Sequence, residues 1–331
     1  MSASRPGEFD LIARIARRVQ ARGDVVLGIG DDAALLEVPA GRQLVVAMDT
    51  LNAGVHFPHA TAPADIGWKA LAVNLSDLAA MGAEPAWCTL SLSMPTPDAA
   101  WLDGFLEGFS ALASMHRVAL VGGDTTRGPL SVCVTVQGLV EPGRALRRDA
   151  ARPGDEVWVS GTLGDAAGAL SMLGLGPLPA PAIAADAAAR AALHARLDRP
   201  TPRIALGRAL APHAHAAIDV SDGLLADLAH LARASGTGIE VDVDRLPASD
   251  ALCALFDADA RRLLQAAGGD DYELAFTAAA ASHAAVLQAA AQAGTPVTCV
   301  GRVVAGQGVS ARDARGAAWL PPRRGWEHFA D

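Results

Sequence analysis

Trp68 to Pro85 reads Trp-Lys-Ala-Leu-Ala-Val-Asn-Leu-Ser-Asp-Leu-Ala-Ala-Met-Gly-Ala-Glu-Pro, and this segment constrains the fold most. Leu71, Leu75, Leu78 and Ala79 recur at helical spacing, and Gly82 followed by Pro85 ends the helix. Most remaining positions are apolar as well, so the helix is predicted to be buried on most sides. Asp77 lies near its middle. A carboxylate there loses several kcal/mol of solvation unless something pairs with it. A lone Asp would be read as solvent-facing or as a cap. Asp77 is not alone, because the chain keeps placing acids at the ends of apolar runs. Together these acids are predicted to form a polynuclear metal site.

The chain of 331 residues is long enough for two domains and a sizeable core. Half of its residues are hydrophobic and the formal net charge is −9, which argues against a nucleic-acid surface and against binding to anionic membranes. No run reaches the length of a membrane span, and no apolar signal segment follows Glu8 and Asp10. Cys88, Cys133, Cys253 and Cys299 are far apart and make no CxxC pair, so neither thiolate zinc nor a disulfide framework is expected. These features predict a cytoplasmic protein with reduced, mostly buried thiols. Lys69 is the sole lysine, Asn52 and Asn74 are the two asparagines, and Tyr272 is the only tyrosine. All four fall inside the chemistry-bearing blocks described next.

The first half is predicted to be an α+β unit. An amphipathic helix over 8–19 sets Leu11, Ile12, Ile15 and Val19 against Arg14, Arg17 and Arg18. Strands are expected at 25–29, 34–38, 44–48, 87–94, 118–121 and 131–140, with a second long helix over 98–115. A polar, turn-rich stretch from Glu141 to Asp155 marks the domain boundary, dividing the chain into 1–145 and 146–331. The second half alternates strands (156–160, 216–220, 239–243, 272–277, 297–304) with helices (from 165, 186–196, 203–211, 221–234, 249–266, 280–293). That alternation predicts an α/β domain with a mixed sheet.

Gly28-Ile29-Gly30-Asp31-Asp32 follows an apolar strand and superficially matches a dinucleotide fingerprint. The match fails, because a strand-like run follows where a helix is needed, and two carboxylates occupy the turn. Acids there repel bare phosphate but hold a metal that bridges to it. A plain Gly-Asp hairpin turn is the alternative. Asp49 closes the run Leu44–Met48, and Asp124 follows Gly122-Gly123, whose lack of side chains allows a tight turn. Asp219 and Asp222 bracket Val220-Ser221 at a strand–helix junction, where free N–H groups favour phosphate oxygens. Ser221 or Asp222 can also serve as the helix N-cap. A second Gly-Gly-Asp, ending at Asp270, trails Asp222 at nearly the spacing that separates Asp77 from Asp124. Hard oxygen donors without clustered His or Cys favour Mg²⁺ over zinc. No G-x-x-x-x-G-K-[ST] occurs, which excludes a P-loop enzyme, and the protein-kinase pattern is likewise missing.

In order, the blocks resemble those of the thiamine-monophosphate kinase family, whose superfamily also contains aminoimidazole ribonucleotide synthetase and selenophosphate synthetase. The matching pieces are Gly7-Glu8-Phe9, Gly28–Leu36, Asp49–Phe57, Lys69–Pro85, Gly122–Pro129, Gly143–Arg148, Ile218–Leu228, Gly268–Leu274 and Gly325–Phe329. The resemblance implies a two-domain fold whose N-terminal domains, carrying metal and ATP, pair across a homodimer, with the C-terminal domain completing the ATP and substrate site. It implies phosphorylation of thiamine monophosphate by ATP to give thiamine diphosphate. By motif, Asp32, Asp49, Asp77, Asp124, Asp219 and Asp222 would bind several Mg²⁺ ions, Gly123, Asp124, Arg148 and Ser221 would serve ATP, and His56, Asp270 and Trp326 would contact the acceptor. Asp77, Asp124 and Asp222 would be central to catalysis.

Four positions, in three places, depart from the family pattern. Ala47 and Met48 replace residues that are often Ser or Thr, so any metal contact from Met48 must use its main-chain carbonyl. Asp270 stands where Glu is usual, and Trp326 where Tyr or Phe is common. Two alternatives remain at this level: another ATP-using enzyme of the superfamily, and a non-catalytic nucleotide- or metal-binding protein. Selenophosphate synthetase uses a reactive Cys or selenocysteine near its N-terminus, whereas the first Cys here is Cys88, inside an apolar strand.

Overall fold

The computed structural model describes residues 7–176, 178–182, 186–323 and 325–327, excluding the side chains of Glu8 and Phe9. Of the matching blocks, those two side chains and residues His328 and Phe329 lie outside the described residues. Two compact units divide the chain: residues up to Leu78 with Ala83–Gly143, and Ala79–Gly82 with Arg144 onward.

In the first unit, α1 (Glu8–Ala16) buries Leu11 and Ile15 and pairs Arg14 with Asp103 at 2.7 Å. It ends three residues before the expected Val19, where Arg18 N–H tightens onto the Ile15 carbonyl. β1 (Val25–Leu27) and β2 (Leu35–Leu36) form a small antiparallel pair. β3 (Gln43–Asn52) is followed by α2 (Pro63–Ala80), β4 (Glu84–Met94), α3 (Ala99–His116), β5 (Ala119–Arg127) and β6 (Ser131–Val140). The strands make one sheet in the order β3–β6–β4–β5. Only β4 and β5 are parallel, and α3 provides the crossover that such a pair requires.

α2 is buried as its sequence predicts: Leu71, Leu75 and Leu78 are inside, and so are Lys69, Asn74 and Ser76, while Asp77 is half-buried. Its backbone touches that of α3. A Cβ on Gly67 would lie 2.0 Å from the Phe105 carbonyl oxygen, and one on Gly108 would lie 1.7 Å from that of Ala64. This contact accounts for glycine inside two strong helices, where each otherwise costs about 1 kcal/mol.

β3 and β5 run further than their apolar stretches suggest. Asp49 pairs with Val134 and Asp124 with Ser91, so both acids lie within strands rather than beyond their ends. β3 and β5 are the edges of the sheet, where a polar residue can keep strand geometry with one side open.

The second unit contains β7 (Asp155–Ser160), α4 (Asp165–Met172), α5 (Ala187–Asp198), α6 (Ile204–Leu210), β8 (Ala214–Val220), α7 (Leu224–Ser235) and β9 (Gly238–Asp242). It continues with α8 (Asp250–Leu255), α9 (Ala258–Ala267), β10 (Glu273–Ala279), α10 (His283–Gln292), β11 (Val297–Val304), β12 (Gly308–Arg312) and β13 (Ala318–Trp319). The sheet order is β13–β12–β9–β11–β7–β10–β8, mixed through the one parallel pair β9–β12. Leu224, Leu228 and Leu231 of α7 join Val157, Ile218, Val241 and Val300 of the sheet in one core cluster. Leu193, Leu197, Leu252, Phe256 and Leu264 build a second among the helices.

The helix expected over 249–266 is two helices. Ser249 caps α8 through Leu252 N–H at 3.0 Å, and Asp257 caps a fresh start through Ala260 N–H at 2.9 Å. β12 and β13 were not expected, being short and lacking an apolar run. No described helix is long and apolar enough to cross a membrane. The cysteines are free, but only Cys88 is buried, and Cys253 is exposed because α8 turns Leu252 and Leu255 inward. The expectation of mostly buried thiols is corrected accordingly.

Candidate active site

The densest gathering of candidate residues is the turn Ser221–Gly223 between β8 and α7. Neither Ser221 nor Asp222 is the N-cap; that position is Gly223, which has no side chain to offer. The donors are instead collected from inside the helix. Asp227 Oδ2 accepts N–H from Ser221 at 3.0 Å, Asp222 at 3.2 Å and Gly223 at 3.1 Å. These amides were expected to face phosphate, and a protein carboxylate holds them. Burial pushes the Asp227 carboxyl up to about 8, with Asp219 and Asp222 adding to the rise against the N–H donors. Asp219 is itself buried, in register with Leu274 of β10.

Two other segments close on the same turn. In the loop before β10, Asp270 N–H donates to the Ser221 carbonyl at 2.8 Å and Tyr272 N–H to that of Val220 at 2.8 Å. From the C-terminal segment, Trp326 N–H donates to the Asp222 carbonyl at 2.9 Å, and the Trp326 side chain is left 48% exposed. Asp219, Ser221, Asp222, Asp270 and Trp326 are thus brought together from three stretches of sequence. Arg148 is fixed by its carbonyl, which accepts from Ser235 Oγ at 2.7 Å, and its side chain is exposed. The neighbouring Arg147 bridges to Ala216, at the other end of β8 from Asp219.

In the first unit, Asp49 N–H donates to Asn74 Oδ1 at 2.8 Å, tying edge strand β3 to α2 one helical turn before Asp77. Gly123 has φ 152°, and a Cβ there would lie 1.9 Å from the Leu90 carbonyl oxygen. Only glycine fits. Gly123 therefore serves a close approach between strands, not the tight turn expected of Gly122-Gly123. Asp49, Val134, Leu90 and Gly123 form one row across the sheet, so Asp49 and Gly123 stand at opposite edges, about 14 Å apart. Met48 pairs with Thr135, and its side chain is exposed. Asp32 lies in the β1–β2 connection, exposed, with its N–H donating to Asp31 Oδ1 at 2.8 Å. A hairpin, not a Rossmann turn, holds it. His56 Nδ1 accepts from Asn52 N–H at 2.9 Å, which leaves Nε2 to carry the proton of a neutral ring. Lys69 Nζ donates to the His56 carbonyl at 3.2 Å, so the single lysine anchors the His56 loop from α2.

Sequence reading missed Asp227, Lys69 and Tyr272 as parts of this architecture. The signals were there: an acid in the first helical turn after Ser-Asp-Gly, a lone lysine and a lone tyrosine. Among the described residues no three His, Cys, Asp or Glu groups stand together as a ready cation cage. Carboxylates in ones and twos, with no His or Cys among the candidate ligands, fit Mg²⁺. That ion keeps several waters and takes substrate phosphates as further ligands.

Comparison with known proteins identifies the lineage. Residues 30–140 match the family described as AIR synthase related protein, N-terminal domain, and residues 152–314 match its C-terminal domain. A curated thiamine-monophosphate kinase of Salmonella typhimurium is 46% identical over 327 residues, covering 98% of each chain. The crystal structure of thiamine-monophosphate kinase from Stenotrophomonas maltophilia superposes with a TM-score of 0.86 at 56% identity, over 95% of this chain and 98% of that one. A structure of AaThiL complexed with AMPPCP and TMP superposes with a TM-score of 0.75 at 33% identity, over 99% of both chains. The chain belongs to the thiamine-monophosphate kinase family.

Proposed function

We infer that this chain transfers the γ-phosphoryl group of ATP directly to the phosphate of thiamine monophosphate, giving thiamine diphosphate and ADP. The observation that carries the reading is the convergence of Asp219, Ser221, Asp222, Asp270 and Trp326 on one turn. The AaThiL complex with AMPPCP, an ATP analogue, and TMP supports the choice of substrates.

The acceptor is a phosphate monoester with a second pKa of about 6, so near neutral pH it is already a nucleophile. Its oxygen attacks the γ-phosphorus while the bond to the ADP oxygen breaks, and no covalent enzyme intermediate or strong general base is required. Mg²⁺ ions bound there would neutralise phosphate charge as two polyanions meet. In this reading several ions share the ligands Asp32, Asp49, Asp77, Asp124, Asp219 and Asp222, with the Met48 carbonyl. Gly123, Asp124, Arg148 and Ser221 hold ATP. His56, Asp270 and Trp326 hold the acceptor.

The working form in this reading is a cytoplasmic homodimer paired through the first unit. Edge strand β3 supports it, with Leu44, Val46 and Met48 exposed at 47%, 57% and 61% on alternate residues. The test is coupled ADP release with thiamine monophosphate, thiamine or aminoimidazole precursors as acceptors, with and without Mg²⁺. Release with thiamine monophosphate and Mg²⁺ alone is expected; release that ignores the acceptor would overturn the reading.

Trp326 gives a sharper check. Its half-exposed ring suits stacking on the substrate's pyrimidine or cationic thiazolium, which contributes about 1–2 kcal/mol. Trp326→Ala should therefore raise KM for thiamine monophosphate roughly tenfold. KM for ATP and the melting temperature should barely move, and Trp326→Phe should regain much of the loss. A large fall in melting temperature with unchanged acceptor KM would make the residue structural.

A further inference from the structure

The loop Gly268–Glu273 has an unusual backbone. Asp270 and Tyr272 sit at φ 69° and 50°, in the left-handed region that a bulky aromatic residue rarely enters. The conformation is held from both sides. Between the two, buried Asp271 accepts from Gly164 N–H with both carboxyl oxygens, at 2.9 and 3.0 Å. Immediately after, Glu273 begins β10 fully buried, against Ser160 Oγ, Arg196 and Arg203. The Asp270 and Tyr272 amides are both committed to the β8 end. The same backbone also brings the two side chains into direct contact: Tyr272 Oη donates to Asp270 Oδ1 at 3.1 Å.

We propose that Tyr272 is a positioning residue, whose hydroxyl fixes the Asp270 carboxylate in the orientation that receives the thiamine phosphate acceptor. The proposal rests on the reading of Asp270 as an acceptor contact. A one-methylene carboxylate has limited reach and several rotamers, so its aim must be set by a neighbour. Tyr272 is nearly buried, in contact with Asp270 from two residues away, and its ring leaves the hydroxyl little freedom to point elsewhere.

Tyr272→Phe removes the hydroxyl and nothing else. KM for thiamine monophosphate should rise about three- to tenfold, with KM for ATP and the melting temperature close to wild type. In an Asp270→Ala background the same change should add nothing, because the group it orients is gone. An unaltered acceptor KM in Tyr272→Phe, while Asp270→Ala raises it, overturns the proposal alone. An undiminished effect of Tyr272→Phe in the Asp270→Ala background also overturns it, since the hydroxyl then acts on something else. If Asp270→Ala leaves the acceptor KM untouched, the role of Asp270 falls and the proposal falls with it.

Discussion

Asp77→Asn and Asp124→Asn should each lower kcat by roughly a thousandfold, the scale seen when one charge-stabilising group is removed from a transition state. Both substitutions keep size and shape, turn one acceptor oxygen into an N–H donor, and delete the negative charge that a bound divalent ion would need. Neither acid is fully buried. Asp77 is half-buried on α2 beside the fully buried Leu75 and Leu78, and Asp124 is exposed on edge strand β5. The melting temperature should therefore stay near wild type while turnover collapses. The measurement is kcat at saturating ATP, acceptor and Mg²⁺, with thermal melting alongside. Near-normal rates in both variants would remove these acids from the metal-binding set.

Glu273→Ala should show the opposite pattern, a loss of stability before any loss of chemistry. The Glu273 carboxylate is fully buried and accepts from Ser160 Oγ at 2.5 Å, Arg196 Nη2 at 2.8 Å and Arg203 Nε at 2.6 Å. Removing it leaves two guanidinium groups, 23% and 17% exposed, without their shared counter-charge. Breaking a buried pair of this kind costs about 3–5 kcal/mol. For a unit of this size that corresponds to a fall in Tm of roughly 10 °C. Burial raises the neighbouring Asp271 carboxyl well above its ordinary range, and its two oxygens are already committed to Gly164 N–H. A Tm within about 2 °C of wild type would show that the pair contributes little beyond its solvation cost.

The sequence displays some parts of this architecture and conceals others for physical reasons. Helix α2 is legible because its apolar residues recur at a fixed period, and β6 because its alternate residues are buried from Val132 to Val136. The two Gly-Gly-Asp runs look alike in the sequence and are not alike in space. Asp124 continues a strand, whereas Asp270 sits in a left-handed turn. The difference is set by what lies opposite: the Leu90 carbonyl at Gly123, and the Ser221 carbonyl that draws in Asp270 N–H. Partners far apart along the chain leave no local trace. Glu273 meets Arg203 from 70 residues away, and no periodicity announces that pair. Trp326 was legible as an aromatic near the C-terminus, but its bond to the Asp222 carbonyl was not.

The capture of three successive amides by Asp227 has a wider meaning for how such a protein handles anions. In many phosphate-binding loops the ligand itself completes the loop's hydrogen bonds, so loop order and occupancy rise together. Here a side chain of the protein fills that place, and the turn's shape does not wait for a nucleotide. If the acids at this junction hold Mg²⁺ as proposed, recognition falls to the ions and side chains, and affinity for nucleotide becomes a function of available Mg²⁺.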